Sequence, residues 1–565
     1  MTQIIVVTVI LLFIIFGAGY YREQNEKKAY KESLLANYAK VNNRKFTSDE
    51  LKSVRGYELY HRDENDFLID DTTWQDLDMN LIYCRMNYCK SSAGDEYLYN
   101  MLRHPVTSET DWESFENKID GLKDDEKLRQ ELSLCLHDMG RSGNLSIYSY
   151  LDKLDEAKGI SFAANMAGVI AYIPAVIICF FLLPLGIALI FILAIYNIAS
   201  YFKQKRKIEK YIICFEYIFK VLKNCDRLCA ALKADEKGVF KEEMSDLSDM
   251  LTVFSSFRRF SSLVVGDLGT GPLAVIFDYV KMLTHTDLLK FDSMLEQIKR
   301  HKDEIDYILK ITGKIDTYLS IGEYRTYLKD CCIPTFDESY NGIDISDGYH
   351  PLIESAIPNS IETKKSILLT GSNASGKSTF LKMIAVNALL SQTIHTVCAK
   401  DYKAPYFAMY SSLSLKDNIL SGESYYMVEI KSLKRIMDAS KKGQRVLGFV
   451  DEVLRGTNTV ERIAASSAIL RDLDQKGVLV FAATHDLELT SILEDEYENY
   501  HFEEDINVND IVFPYKISKG RATSRNAIKL LGFMGYDSNI IKKANDMVSL
   551  MENDLKPDRF NKINQ

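Results

Sequence analysis

Residues Thr370 to Leu381 read TGSNASGKSTFL, and Gly371–Ser378 within them satisfy GxxxxGK[ST] at every fixed position. Glycines at both ends of the loop let backbone N–H groups turn towards phosphate oxygens. A helix opening directly afterwards adds the positive end of its dipole. The flanks agree: Ile367–Thr370 is an apolar run of strand length, and Lys377–Leu390 has the pattern of a helix. The expected ligands are ATP and Mg2+. Gly371, Ser372, Asn373, Ala374, Ser375, Gly376 and Thr379 should line the nucleotide, Lys377 should reach its β- and γ-phosphates, and Ser378 should bind the metal ion.

Three further stretches extend this reading. In RVLGFVDEVLRGT an apolar run delivers Asp451, placed to hold Mg2+, and Glu452, placed to polarise an attacking water. In VLVFAATHDLELT a histidine, His485, follows another apolar run, where it can sense the γ-phosphate or orient the water. In DNILSGESYYMVEI the small residues Ser421, Gly422 and Ser424 precede a helical pattern whose free N–H groups suit a γ-phosphate. Because the chain already supplies its own cradle, that phosphate is expected from a facing subunit, which implies nucleotide-dependent dimerisation. The runs SILLT, RVLGFVD and GVLVFAAT each end at polar chemistry, the pattern of a buried, mostly parallel sheet in an α/β P-loop domain.

Outward from this domain the chain changes character. Ile4–Tyr20 is an uncharged apolar run followed by Arg22, Lys27, Lys28 and Lys31, which reads as a membrane helix with the remainder of the chain cytoplasmic. Phe162–Tyr201 carries no charge over about 40 residues. At about 1.5 Å per residue that is roughly 60 Å, two bilayer crossings. The expectation is a helical hairpin over about 162–181 and 185–201, turning at Pro184-Leu185-Gly186 and followed by the basic KQKRK of Lys203–Lys207. Helical periodicity fills 202–330, as in YIICFEYIFKVLKNCDRLCAAL, with GDLGTGP at 266–272 as a loop. The expected organisation is a membrane helix (1–21), a helical core (22–160) interrupted by the hairpin (161–202) and resumed (203–340), the P-loop ATPase (341–515) and a helical dimerisation segment (516–565). The expected location is the plasma membrane, multi-pass, with core and ATPase on the cytoplasmic side.

The 565 residues carry a net charge of −10, which argues against a broad nucleic-acid-coating surface. Ten cysteines are scattered without a CxxC pair and read as reduced core residues; Cys225 and Cys229 share a helix face.

In this order the motifs resemble the MutS family of DNA mismatch-repair ATPases, a branch of the ABC-type ATPases. YHPLIE (Tyr349–Glu354) is similar to the start of that family's ATPase domain, SGESYYMVE to its SGxSTFMVE element, DEVLRGTNT to DEIGRGTST and ATHDLELT to ATHYFELT. Upstream, IDDTTWQDLDMN, SSAGDEYLYNMLRHPV and ITGKIDTYLSIGEYRTYLKDCCIPTF resemble the family's helical core, and the tail from Lys519 resembles its dimer-locking segment. The resemblance implies a phosphate and metal role for Lys377 and Ser378, the acidic pair Asp451–Glu452, a switch histidine in His485, a trans-acting Ser424, a homodimer through the ATPase domain, and DNA as a partner. The chain departs from the family where a membrane segment and short linker occupy the place of a mismatch-reading domain, and where Ala356 stands at the usual adenine-stacking aromatic. Two alternatives stand beside this reading. One is an ABC-type ATPase coupled to transport, for which LSGES would be the signature and three uncharged membrane helices are few. The other is a nucleotide-dependent membrane scaffold that does not bind DNA.

Overall fold

The computed structural model describes residues 2–63, 66–156, 162–235, 237–254, 279–280, 282–328, 330–372, 375–413, 425–454, 457–503, 505–507, 510–522, 528, 531 and 534–554. The chain forms two compact units. One comprises Met1–Asp66, Tyr83–Arg103 and Asp111–Lys329; the other comprises Phe67–Ile82, His104–Thr110 and Asp330–Gln565. The second unit therefore recruits two short stretches from far upstream of the P-loop.

The first unit is helical among its described residues. Its centre is the pairing of helix Ser92–Arg103 with helix Lys302–Tyr327, which joins the two upstream stretches singled out by resemblance. Small residues make the approach feasible. A Cβ on Gly94 would lie 2.3 Å from Asp316 Oδ2, and one on Gly313 would lie 2.6 Å from the Ala93 carbonyl oxygen. Asp316 is fully buried and accepts bonds from the Lys90 and Ser91 backbone N–H groups and, at 2.6 Å, from Ser91 Oγ. Burial still pushes its carboxyl up to about 6. Next to it, Asp95 takes a two-pronged contact from Arg44 (2.7 and 2.8 Å) and a third bond from Arg141.

The apolar segment forms helices Phe162–Ile170 and Tyr172–Phe181, then turns at Leu182 into a single helix, Leu183–Lys233. The turn thus falls just before Pro184 instead of on Pro184-Leu185-Gly186. Proline's fixed φ and missing N–H suit a helix's first turn, so Pro184 starts the second helix. Nor does that helix stop at Tyr201. It continues for 51 residues, about 77 Å, carrying an exposed apolar half into a half whose Ile212, Phe215, Leu222, Cys225 and Leu228 are buried. Gly186 brings the two helices together, since a Cβ there would lie 2.6 Å from Cys179 N. At the hairpin's open end the buried Asn165 and half-buried Gln204 exchange paired amide bonds (3.0 and 2.8 Å), while the buried His285 contacts Asn165 Oδ1 (2.8 Å) and the Asn197 carbonyl (2.9 Å). The long helix is, among the described residues, the one with the length and apolarity to cross a membrane. The loop expected at 266–272 lies outside the described residues.

The second unit holds the strands: β1 Thr335–Phe336, β2 Ile343–Gly348, β3 Asn359–Thr363, β4 Ser366–Thr370, β5 Asp401–Ala404, β6 Ala408–Ser412, β7 Val446–Asp451, β8 Leu479–Ala483, β9 Tyr497–Phe502, β10 Asp505–Asn507, β11 Asp510–Val512 and β12 Ile517–Lys519. A six-stranded sheet runs β12-β9-β4-β8-β7-β6, parallel except for β12, and a four-stranded mixed sheet runs β1-β5-β2-β3. All of β4 is buried, as are Val446–Val450 of β7, because helices cover both faces of a parallel sheet. β12 lies at the start of the segment expected to be a helical tail; helix Ser538–Asp554 follows. The short helix Asp71–Asp76 belongs here because the buried Asp76 accepts bonds from Ser411 Oγ (2.7 Å) and the Leu413 N–H (2.8 Å) beside β6.

Candidate nucleotide site

The loop Gly371–Gly376 leaves the C-terminal end of the central strand β4 and opens helix Lys377–Ile394. Gly371 and Gly376 adopt φ of +145° and +108°, conformations that other residues rarely take, and a Cβ on Gly376 would press to 3.1 Å from the Tyr515 ring. Lys377 is buried, its ammonium held 2.8 Å from the Gly371 and Ser372 carbonyl oxygens. Ser375 is also buried, and its hydroxyl has no hydrogen-bond partner among the described residues. A cradle of turned backbone, a lysine and an unsatisfied buried hydroxyl fits a phosphate. Asn373 and Ala374 lie outside the described residues.

Neighbouring strands β7 and β8 bring up the remaining groups. Ser378 Oγ donates to Asp451 Oδ2 at 2.5 Å, so the two residues expected to share a metal ion already meet. Their hydroxyl and carboxylate oxygens are the hard donors that suit Mg2+. His485 Nε2 lies 2.8 Å from Glu452 Oε1, which joins the expected water-polarising and switch residues. Glu452 and Leu454 both sit in the left-handed region, at φ +58° and +61°. Side chains other than glycine hold that conformation only where the surroundings impose it. Here the Glu452 N–H donates to Ala483 O (2.9 Å), the Leu454 N–H donates to buried Glu429, and Ser466 Oγ donates to Val453 O. Arg462 clamps Asp486, the residue after His485, with bonds of 2.8 and 2.6 Å. No reading of the motifs foresaw Glu429, Arg462 or Asp486 as supports; the two carboxylates lay inside quoted motifs, but only the fold shows what they bond. Ser421, Gly422 and Ser424, expected to face a second subunit, lie outside the described residues; the helix that follows them, Tyr425–Ala439, carries Glu429.

Ser375, Lys377, Ser378, Asp451, Glu452 and His485 border a cavity of about 840 Å³. Ala356 lies in its wall without a ring to offer, and Tyr515 and Phe502 supply aromatic surface there. Tyr515 is half exposed, adopts φ +53°, and is anchored through its carbonyl oxygen, which accepts from Asn359 Nδ2 at 2.9 Å. It lies in an irregular turn, FPYKIS, whose only sequence signal is a proline–aromatic pair.

His350, from the YHPLIE stretch, also lines the cavity. Burial, with the Lys382 ammonium adding to it, holds its imidazole down at about 4. The unfolded chain binds that proton from about pH 6.5 downward. Stability is therefore fully present above about pH 6.5 and is lost as the pH falls towards 4, by on the order of 3 kcal/mol in full. Urea melts across this range, followed through a probe in the strand-bearing unit, should show the loss, and His350→Gln should flatten the slope. An unchanged slope in the variant would place the titration elsewhere.

Residues 367–552 match the family model described as MutS domain V. The DNA mismatch repair protein MutS of Lactobacillus acidophilus is 29% identical over 278 residues, 46% of this chain and 32% of that protein. The Bacillus licheniformis protein of the same name is 27% identical over 299 residues (50% and 34%), and that of Thermotoga maritima is 28% identical over 287 residues (49% and 36%). The chain spans about a third of the length of the curated relatives it matches.

Proposed function

We propose, for a chain whose residues 367–552 match MutS domain V, that it is a membrane-anchored MutS-like ATPase that binds and hydrolyses MgATP between two copies of itself. The observation that carries this reading is the convergence of Lys377, Ser378, Asp451, Glu452 and His485 on one cavity. Hydrolysis of a phosphoanhydride requires positioning and charge stabilisation more than covalent chemistry. Lys377 neutralises charge building on the β- and γ-phosphates. Glu452 accepts a hydrogen bond from the attacking water and aligns it. His485, bonded to the same carboxylate, fixes which of its oxygens faces the water. Mg2+, when bound, would be held by Ser378 and Asp451 and would offset phosphate charge. Ser421, Gly422 and Ser424 of the second copy complete the site.

The base of the nucleotide stacks on Tyr515, which supplies to the cavity the ring that Ala356 lacks. Stacking on an aromatic side chain contributes about 1–3 kcal/mol per base. Tyr515→Ala should weaken ATP binding by roughly that amount in a calorimetric titration, and Tyr515→Phe should retain it. Equal affinities in parent and Tyr515→Ala would remove this contact.

Exposed Ile173, Ile177, Phe180, Phe181, Phe191 and Ile195 on the hairpin support the membrane anchor. Flotation of the full chain with vesicles, resistant to alkaline carbonate, tests it. Duplex DNA is the partner carried over from the relatives' name. A gel shift with matched and mismatched duplexes at rising salt tests it, because phosphate contacts weaken steeply with salt. Absence of any shift at low salt would leave an ATPase that acts on something other than DNA.

A further inference from the structure

Immediately after the apolar half of the long helix come Lys203, Lys205, Arg206, Lys207 and Lys210, with Glu209 as the one acid among them. Lys203, Arg206, Lys207 and Lys210 are exposed, and Lys205 lies with its ammonium 5.3 Å from the Tyr201 ring. None of the five forms an ion pair among the described residues. That sets them apart from the cations after the first apolar run, where Arg22 pairs with Glu26 and Lys31 with Glu131. Five cations against one acid on two helical turns, at a net charge of −10 for the chain, mark a built concentration of positive potential.

Their depth is defined by the helix itself. Leu183 to Tyr201 is one uninterrupted helical stretch of about 28 Å, close to the roughly 30 Å of a bilayer's hydrocarbon. With Leu183 at the far surface, the basic turns emerge at the level of the near headgroups. The amide pair of buried Asn165 and half-buried Gln204, with Ser200 Oγ accepting from Gln204 at 3.1 Å, lies at the same level and closes the hairpin's polar end. The helix then continues as buried core, so it cannot slide along its axis without dragging that core.

We infer that Lys203, Lys205, Arg206, Lys207 and Lys210 form a docking surface for anionic phospholipid headgroups of the cytoplasmic leaflet. The inference rests on the membrane-anchor reading and adds a lipid class to it. Each basic residue near an anionic surface is worth about a fivefold preference. The test uses the full chain reconstituted into vesicles of phosphatidylcholine alone or mixed with phosphatidylglycerol, with a trace of spin-labelled phosphatidylglycerol or phosphatidylcholine. The expected result is flotation with both vesicle types and at least about a fivefold preference of the protein-immobilised signal for labelled phosphatidylglycerol. High salt, or replacement of the five cations by glutamine, should reduce the preference to parity while flotation persists. Flotation with equal immobilisation of the two labels in the parent, or a preference unchanged in the glutamine variant, overturns the headgroup inference alone. Failure to float with either vesicle type overturns the anchor and this inference together.

Discussion

Glu452→Gln should slow ATP hydrolysis by roughly 10² to 10⁴-fold, the contribution of a positioned general base, while ATP binding survives. The substitution keeps the side chain's size and its contact with His485 Nε2, which lies 2.8 Å away in the parent. It removes the carboxylate charge that, in the proposed mechanism, aligns the attacking water. Because Glu452 already holds a left-handed backbone braced by Ala483, with Glu429 bracing Leu454 two residues on, the amide should occupy the same place without unfolding the strand end. Single-turnover hydrolysis measured beside equilibrium ATP binding separates the two effects. Equal turnover in variant and parent would strip Glu452 of its role. A parallel loss of binding would mean that it serves the cradle instead.

The second large effect is expected at Lys377. Its ammonium sits buried at the floor of the phosphate loop, and replacing it with alanine removes the positive charge closest to the Gly371 and Ser372 carbonyls. Truncating one partner of a desolvated charge pair typically costs about 2–5 kcal/mol of binding. A ligand at one hundred times its Kd stabilises a fold by about 2.7 kcal/mol. At that concentration MgATP should therefore raise the melting temperature of the parent and shift Lys377→Ala at most about a third as far. A circular-dichroism spectrum matching the parent's would show that the variant still folds. An undiminished thermal shift would move the nucleotide away from this loop.

Much of the site could be read from residue order alone, because each motif is local. The strand before Gly371, the helix from Lys377, and the strands ending at Asp451 and at Ala483, just before His485, all occur where the apolar runs placed them. The unread parts depend on long-range contacts. Asp76 meets Ser411 across 335 residues, and nothing near Asp76 signals that it belongs with the strand-bearing unit. Tyr515 reaches the cavity from an irregular turn with no periodicity to betray it. Pro184 looked like a turn residue because proline breaks helices, yet in a first turn it starts one. The 51-residue helix reads as two elements because its pattern switches from wholly apolar to amphipathic near Tyr201, although the backbone does not change there.

The proposed clasp of nucleotide between two copies is tested most directly by the mass of the Glu452→Gln chain in detergent, with and without MgATP. The expected result is a shift from one chain to two on adding MgATP, reversed by Ser424→Glu, which on the proposed arrangement sets a negative charge against the partner's γ-phosphate. A protein that binds MgATP and keeps the mass of a single chain would contradict the proposal.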